Sequence, residues 1–514
     1  MVKYTQWMKV NRYWATIAAL LAAAALNCVL VLVLNRHGFN EYDMSPMIDS
    51  GWRVYSGQVP GRDFLVTFPP SLYLLTALSF RVFGATWHAL GMGAALVYGV
   101  MLALGVRISD LVRKTKSEQA AVWTVCAYAT AVTLPYIIMT VLWHAAIAMD
   151  FSLYGAYATY VLTDWALLRR GMKVEALLHL MLAVAGLLLS KANMAYPALS
   201  LCVLVAARAK VPWRALVSVC AGGAILAFLT LAAVRVSPVE MLRAYSGLAG
   251  RLVPRGFLLG FVAPVNSALA LADSIAYIAL APVFILAIQR IRVQWGALWR
   301  QPTVLLGSGA VLISFLSMGT NRNFKLSDAA LALFGVAVLA LDGSVASAEM
   351  RRRVGFALTV SIFGALIMGR TRLACQTAGG WYHQGCFQTA VGDRFFGRMK
   401  SCEALPLALS EVDQILAGHS GARVFFGPSL EFLYADKKLS SPAHMPNWWD
   451  PGTSFPLRKG KMIANDWEKD HFDLVILTAD EDRDRLAPGI AQAIGDEYVR
   501  TGDTRLVHLY TRRQ

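Results

Sequence analysis

The chain has 514 residues, of which 57% are hydrophobic and only 16% charged, and its mean hydropathy is +0.50. A soluble globular domain is far less apolar, so the composition excludes one and predicts a polytopic α-helical membrane protein. The net charge of +16 does not mark a nucleic-acid binder, because Lys and Arg are spread over short connections between apolar runs instead of gathering in one patch.

Apolar runs fit to span a bilayer recur at 14–34, 86–106, 118–138, 147–167, 174–190, 194–207, 215–235, 265–289, 302–319, 326–343 and 354–369, which predicts about eleven transmembrane helices. The first run lacks a small-residue cleavage site and reads as an anchor. Segment 70–84 is too short to span and reads as an interfacial or re-entrant helix. Basic residues fall in every second connection: Lys3, Lys9 and Arg12, then Arg107, Arg113, Lys114 and Lys116, then Arg169, Arg170 and Lys173. Arg208, Lys210 and Arg214, then Arg290, Arg292 and Arg300, then Arg351, Arg352 and Arg353 continue the series. This positive-inside pattern places the N-terminus in the cytoplasm, and eleven spans then place the C-terminus outside.

Two domains are expected: a membrane domain over 1–370, whose first exterior loop carries interfacial helices over 36–85, and a small α/β domain over 371–514. The latter reads as a helix near 404–417, strands at 423–426 and 472–477, a helix near 484–498 and a strand at 504–510. Cys28, Cys126, Cys202 and Cys220 lie in apolar spans and act as small hydrophobes. Cys375, Cys386 and Cys402 fall in the predicted exterior, where one disulfide is expected, most simply Cys375–Cys386; sequence does not fix the pairing.

Candidate chemistry gathers at the exterior ends of the spans. Asp43 opens an amphipathic stretch bearing Met44, Met47, Ile48, Trp52 and Tyr55, and two roles fit it: a cap of that helix, or a working carboxylate at the membrane surface. Asp63 follows Arg62, which suits a structural ion pair better than a catalytic acid. Asp150 is a further candidate acid near the start of span four. Exterior cations run against the positive-inside bias and suggest a lipid or phosphate partner: Arg243, Arg251 and Arg255 between spans seven and eight, and Arg322 and Lys325 after span nine. Lys191 is either a snorkelling anchor or a phosphate ligand. His144 and His444 are ordinary polar residues or acceptor contacts, and Trp448 and Trp449 form an interfacial belt or a sugar-stacking platform. No spacing resembles a zinc site.

Asp43, Gly57, Pro60, Arg62-Asp63-Phe64, Pro69-Pro70 and Phe83-Gly84 stand in an order that resembles the first exterior loop of the GT-C glycosyltransferases. The likeness is to the branch related to protein O-mannosyltransferases and the lipid A aminoarabinose transferase. Ser190-Lys191-Ala192-Asn193 and Val424-Phe425-Phe426-Gly427-Pro428 extend it along the chain. The resemblance implies a bacterial inner-membrane enzyme that takes a sugar from a polyprenyl-phosphate carrier and passes it, with inversion, to an acceptor hydroxyl on a lipid, glycan or protein of the cell envelope. It also implies that Asp43 is the base. Met44 and Gly61 depart from the pattern, and Thr67-Phe68-Pro69 lacks the Lys that meets the donor phosphate in some relatives. That contact then falls to Arg255, Arg322, Lys325 or Lys191. A divalent metal is compatible with the family; no cofactor is required by the sequence. Rival readings are a flippase of lipid-linked sugars, disfavoured because no half-length repeat is visible, and an O-antigen ligase or polymerase, disfavoured by the early position of the acids.

Overall fold

A first helix of 33 residues, α1 (Val2–Leu34), is apolar over most of its length and opens the membrane bundle. The structure, a computed structural model, describes residues 2–39, 41–66, 68–138, 141–239, 241, 285, 288–289, 291–292, 295–297, 300–320, 330–341, 389–451, 454–455, 457–479 and 482–513. After α1 come two shorter helices, α2 (Glu41–Tyr55) and α3 (Pro70–Phe83). The bundle continues with α4 (Trp87–Thr115), α5 (Glu118–Ile138), α6 (His144–Leu162), α7 (Arg170–Leu188), α8 (Ala192–Arg208) and α9 (Trp213–Ala233). It also includes α10 (Pro302–Thr320) and α11 (Ala330–Leu341). Among the described residues, four helices are long and apolar enough to cross a membrane: Tyr13–Leu34, Trp87–Thr115, Arg170–Leu188 and Trp213–Ala233. The polytopic helical class expected from composition is therefore present. The expected runs 265–289 and 354–369 lie almost wholly outside the described residues.

Within the bundle, α4 packs on α1 and α5, α6 on α7 and α8, and α10 on α8 and α11. The α10–α11 contact depends on two glycines. A Cβ on Gly307 would lie 2.8 Å from the Gly335 carbonyl oxygen, and one on Gly335 would lie 2.6 Å from that of Gly307. Small residues at such crossings let helix backbones approach where lipid gives no hydrophobic drive for association.

The two ends of α4 differ in chemistry. At its C-terminal end Arg107 pairs with Glu175 at 2.5 Å, Asp110 pairs with Arg113 and Lys114, and Lys116 pairs with Asp164. These are the basic connections that the sequence assigns to one membrane face. The N-terminal end, at Trp87, meets the C-terminal half of the chain instead: Trp87 N donates to the Phe395 carbonyl, and Gly38 N donates to that of Lys400.

Residues 389–513 form an α/β unit. A two-residue ladder, β1 (Thr389–Ala390) with β2 (Lys400–Ser401), leads to α12 (Ala404–Gly418). A four-stranded sheet of order β3-β4-β6-β5 follows, from β3 (Val424–Phe426), β4 (Leu474–Thr478), β5 (Tyr498–Asp503) and β6 (Val507–Arg512). β3 and β4 are parallel, as a strand–helix–strand crossover requires, and α13 (Gly460–Lys469) makes that crossover. β6 runs antiparallel to both neighbours. Two sequence expectations change here. The segment 484–498 is not one helix: a 3-10 turn (Asp482–Arg485) overlaps its start, α14 (Ile490–Glu497) follows, and its end turns into β5 at Tyr498. The strand placed at 504–510 is the second arm of a hairpin, with residues 504–506 as its turn. Cys402 is buried in the core of this unit; Cys375 and Cys386 lie outside the described residues.

Candidate active site

Helix α2 has two faces, and the spacing of its residues separates them. Ser45, Ile48, Asp49 and Trp52 form an i, i+3, i+4, i+7 stripe that meets the C-terminal unit. Ile48 and Trp52 join its apolar core. The polar members make a buried seam. The Ser45 hydroxyl donates to Glu431 Oε2 at 2.5 Å, Ser441 Oγ donates to Asp49 Oδ1 at 2.5 Å, and Trp52 Nε1 donates to the Leu439 carbonyl at 2.8 Å. Arg53 completes the seam: its guanidinium pairs with Asp49 at 2.6 Å, donates to the Pro442 carbonyl at 2.5 Å and lies 5.2 Å from the Phe64 ring centroid. Asp49 and Arg53 are 0% and 2% exposed. Burial pushes the Asp49 carboxyl up, and Arg53 and Ser441 oppose that shift. A buried pair of this kind is costly to break, because either partner alone is an uncompensated charge.

The other face belongs to the bundle. Met47 is part of the main bundle core, and Asp43, one turn earlier, shares its face and is half-buried. The helix starts at Glu41, so Asp43 is in the first turn and not the cap that the sequence left open. There a carboxylate meets the positive end of the helix dipole.

Around Phe68, which joins the same core as Met47, two expected residues, Trp448 and His144, come together. Trp448 stacks on Phe68 with centroids 5.6 Å apart and planes at 12°, and His144 tilts against it at 5.4 Å. Trp143 lies 4.9 Å from His144. His144 is the first residue of α6, with Trp143 at its N-cap position. Lys191 is the residue before α8, half-buried, and its neighbour Leu189 accepts a 2.9 Å hydrogen bond from Ser71 N at the start of α3. That bond ties the α7–α8 turn, which carries Lys191, to the start of α3. A small apolar crevice runs from Pro60, Val66 and Phe68 to Val236 and Met241, the first residues of the loop between spans seven and eight.

The remaining candidates take other places. Asp63 Oδ2 accepts from Val59 N at 2.7 Å and Oδ1 from Arg62 at 2.7 Å, closing a turn in which Gly61 takes φ +84°. The Arg62 hydrogen bond holds the Asp63 carboxyl below its ordinary range. The Asp63 carbonyl accepts from His444 N, and Leu65 and Asn447 continue the backbone pairing, so His444 serves to join the first loop to segment 444–447. Asp150 lies fully buried within α6, where the Tyr136 hydroxyl donates to it at 2.6 Å. Trp449 is 2% exposed in the C-terminal core, edge-on to Phe425 and Phe455, so it offers no face to a sugar. Arg243, Arg251, Arg255, Arg322 and Lys325 lie outside the described residues. Among the described residues no three His, Cys, Asp or Glu side chains converge as a metal site would need.

Sequence reasoning missed Asp49, Arg53, Ser441 and Glu431. The i, i+4 spacing of Asp49 and Arg53 was the available signal. Glu431 is fully buried, its Oε1 has no hydrogen-bond partner among the described residues, and burial pushes its carboxyl up to about 7 against the opposing Ser45 bond.

With this geometry in view, solved structures offer a likeness of fold. ArnT from Cupriavidus metallidurans in the apo state superposes with a TM-score of 0.53 over 96% of this chain and 98% of that one, at 12% identity. The chain has the GT-C fold of ArnT. ArnT from the same organism bound to undecaprenyl phosphate gives a TM-score of 0.49 over 96% and 97%, also at 12% identity. No family model and no curated protein matches the sequence.

Proposed function

We propose that this chain is a membrane glycosyltransferase that moves a sugar from a polyprenyl-phosphate-linked donor to an acceptor hydroxyl of the cell envelope, with inversion and with Asp43 as general base. The observation that carries the reading is the place of Asp43, in the first turn of a helix clamped between the bundle and the C-terminal unit. The shared fold with ArnT and the loop-one pattern supply the reaction class. In this reading the α2–α3 end of the bundle is exterior, since the ion-paired basic connections occupy the opposite end of α4, and residues 371–514 are an exterior domain.

The chemistry is a single displacement. The acceptor oxygen forms its bond to the anomeric carbon as the bond from that carbon to the phosphate oxygen breaks, and the hydroxyl proton passes to Asp43. The leaving lipid phosphate needs cations more than a proton, and Lys191, before α8 in the turn tied to the start of α3, is the candidate for that role. Phe68, Trp143 and Trp448 form an apolar surround that would strengthen charge interactions by keeping water away.

Purified protein in nanodiscs, given a radiolabelled polyprenyl-phosphate sugar and an envelope-lipid extract, should release polyprenyl phosphate and label the extract. A protein in liposomes that carries the intact lipid-linked sugar across the bilayer without cleaving it would establish the flippase reading instead.

A further inference from the structure

A cavity of about 360 Å³ opens at the far end of α2, between Trp52 and Tyr55, the α3–α4 turn and the C-terminal unit. It lies some nine residues, or about 14 Å of helix, from Asp43. Its size falls within the range of small-molecule sites, about 300–1,000 Å³.

Its lining combines aromatic and charged residues. Tyr55 stacks on Trp52 at 5.4 Å with planes at 28°, while Trp52 is pinned by its bond to the Leu439 carbonyl. Tyr55 is 37% exposed and packs edge-on to Phe80, so a fixed ring face is presented to solvent. Arg394, Asp436 and Lys438 share the lining. The Asp436 carboxylate is 1% exposed and held at 2.9 Å by Lys437, which also pairs with Asp413. Arg394 and Lys438 are exposed, and among the described residues neither is engaged in an ion pair. Gly84 takes φ +85° at the rim, and a Cβ there would meet nothing within 4 Å, so the turn leaves the mouth open.

We infer that this cavity binds an acidic saccharide, a pyranose carrying a phosphate or carboxylate, with its ring on Tyr55 and its anionic group on Arg394 and Lys438. Aromatic faces are electron-rich and suit the polarised C–H groups of a sugar ring. Lys437 is shared by Asp436, Asp413 and Asp393 and is only 11% exposed, so Arg394 and Lys438 are the exposed cations of the lining. The Arg394 guanidinium has the planar fork that matches phosphate and carboxylate. As the acceptor-side subsite of the transfer proposed above, the cavity rests on that reading; the binding itself does not.

The test measures binding by calorimetry and saturation-transfer NMR to the full chain in phosphatidylcholine nanodiscs, with glucose 6-phosphate, methyl glucoside and inorganic phosphate as probes. Glucose 6-phosphate should bind tightest. The exposed double variant Arg394→Ala/Lys438→Ala should weaken it about 10-fold or more, Tyr55→Ala should do likewise, and Tyr55→Phe should retain it. Unchanged affinity in the double variant, or inorganic phosphate binding as tightly as the sugar phosphate, would overturn the proposal. Where transfer is assayed in parallel, the double variant should raise KM for the acceptor and leave kcat unchanged. A chain that shows no transfer yet loses glucose 6-phosphate binding in the double variant keeps this site while the transferase reading fails.

Discussion

Ser45 donates a 2.5 Å hydrogen bond to Glu431, joining positions 386 residues apart in the chain. The Phe432 backbone N–H donates to the same hydroxyl at 3.0 Å. One helical turn on, Asp49 accepts from Ser441, and Asn447 Nδ2 reaches Ser50. The orientation of α2, and of Asp43 in its first turn, is therefore set jointly by the bundle and by the C-terminal unit.

The Glu431 end of this seam gives a pH dependence. Its folded-state value of about 7 lies above the ordinary 4.5, chiefly through burial. Between those two values the folded chain keeps a proton that the unfolded chain has lost, so stability falls as pH rises through that window. Asp436, also raised to about 7 by burial, acts in the same sense. Glu431→Gln keeps an acceptor for Ser45 and removes the charge. Its Tm should match the parent near pH 4.5 and exceed it at pH 8; equal values at both pH would show that Glu431 is not buried as an acid.

The buried Asp49–Arg53 pair predicts an asymmetric mutant series. Asp49→Ala strands a guanidinium that is 2% exposed and should cost about 3–5 kcal/mol. Asp49→Asn retains an acceptor for Ser441 and should cost less. Thermal unfolding in detergent checks the order, and an Asp49→Ala protein as stable as the parent would mean that the seam does not hold the two parts together.

The neighbouring tryptophans should behave differently. Trp449→Ala opens the C-terminal core and should destabilise by about 3–5 kcal/mol. Trp448 is half-buried over Phe68, so Trp448→Ala should depress sugar transfer with a smaller change in Tm. Comparing turnover and Tm for both variants tests the assignment, which a parallel loss in the two would contradict.

Topology supplies an independent check. A periplasm-dependent reporter fused after Gln514 should be active, and one that requires the cytoplasm should be silent. The opposite pattern would invert the membrane and remove the site from the exterior face.

Periodicity made much of this fold legible. The apolar runs at 118–138, 194–207 and 302–319 match helices within a few residues, and the amphipathic pattern from Met44 to Tyr55 marks α2. What escaped was the meaning of the polar residues on that helix. Asp49 and Arg53 look like a solvated face, because the groups that bury them, at 441 and 442, come almost four hundred positions later. Trp448 and Trp449 are adjacent and chemically alike; only the tertiary fold sends one to the bundle and the other into the sheet core. Likewise Tyr498 ends a helical pattern because its backbone pairs with Arg512, a cross-strand bond that local propensity does not encode.

The central claim is that Asp43 is a base and not a structural acid of the first turn. Asp43→Asn preserves size and hydrogen-bonding capacity but cannot take the acceptor's proton. Loss of a general base costs about 10²–10⁴-fold in rate, whereas a lost first-turn carboxylate costs about 0.3–1 kcal/mol of stability. Sugar transfer and thermal unfolding of Asp43→Asn, measured side by side, should show turnover lowered at least 100-fold with Tm nearly unchanged. Near-normal turnover with a lowered Tm would contradict the account.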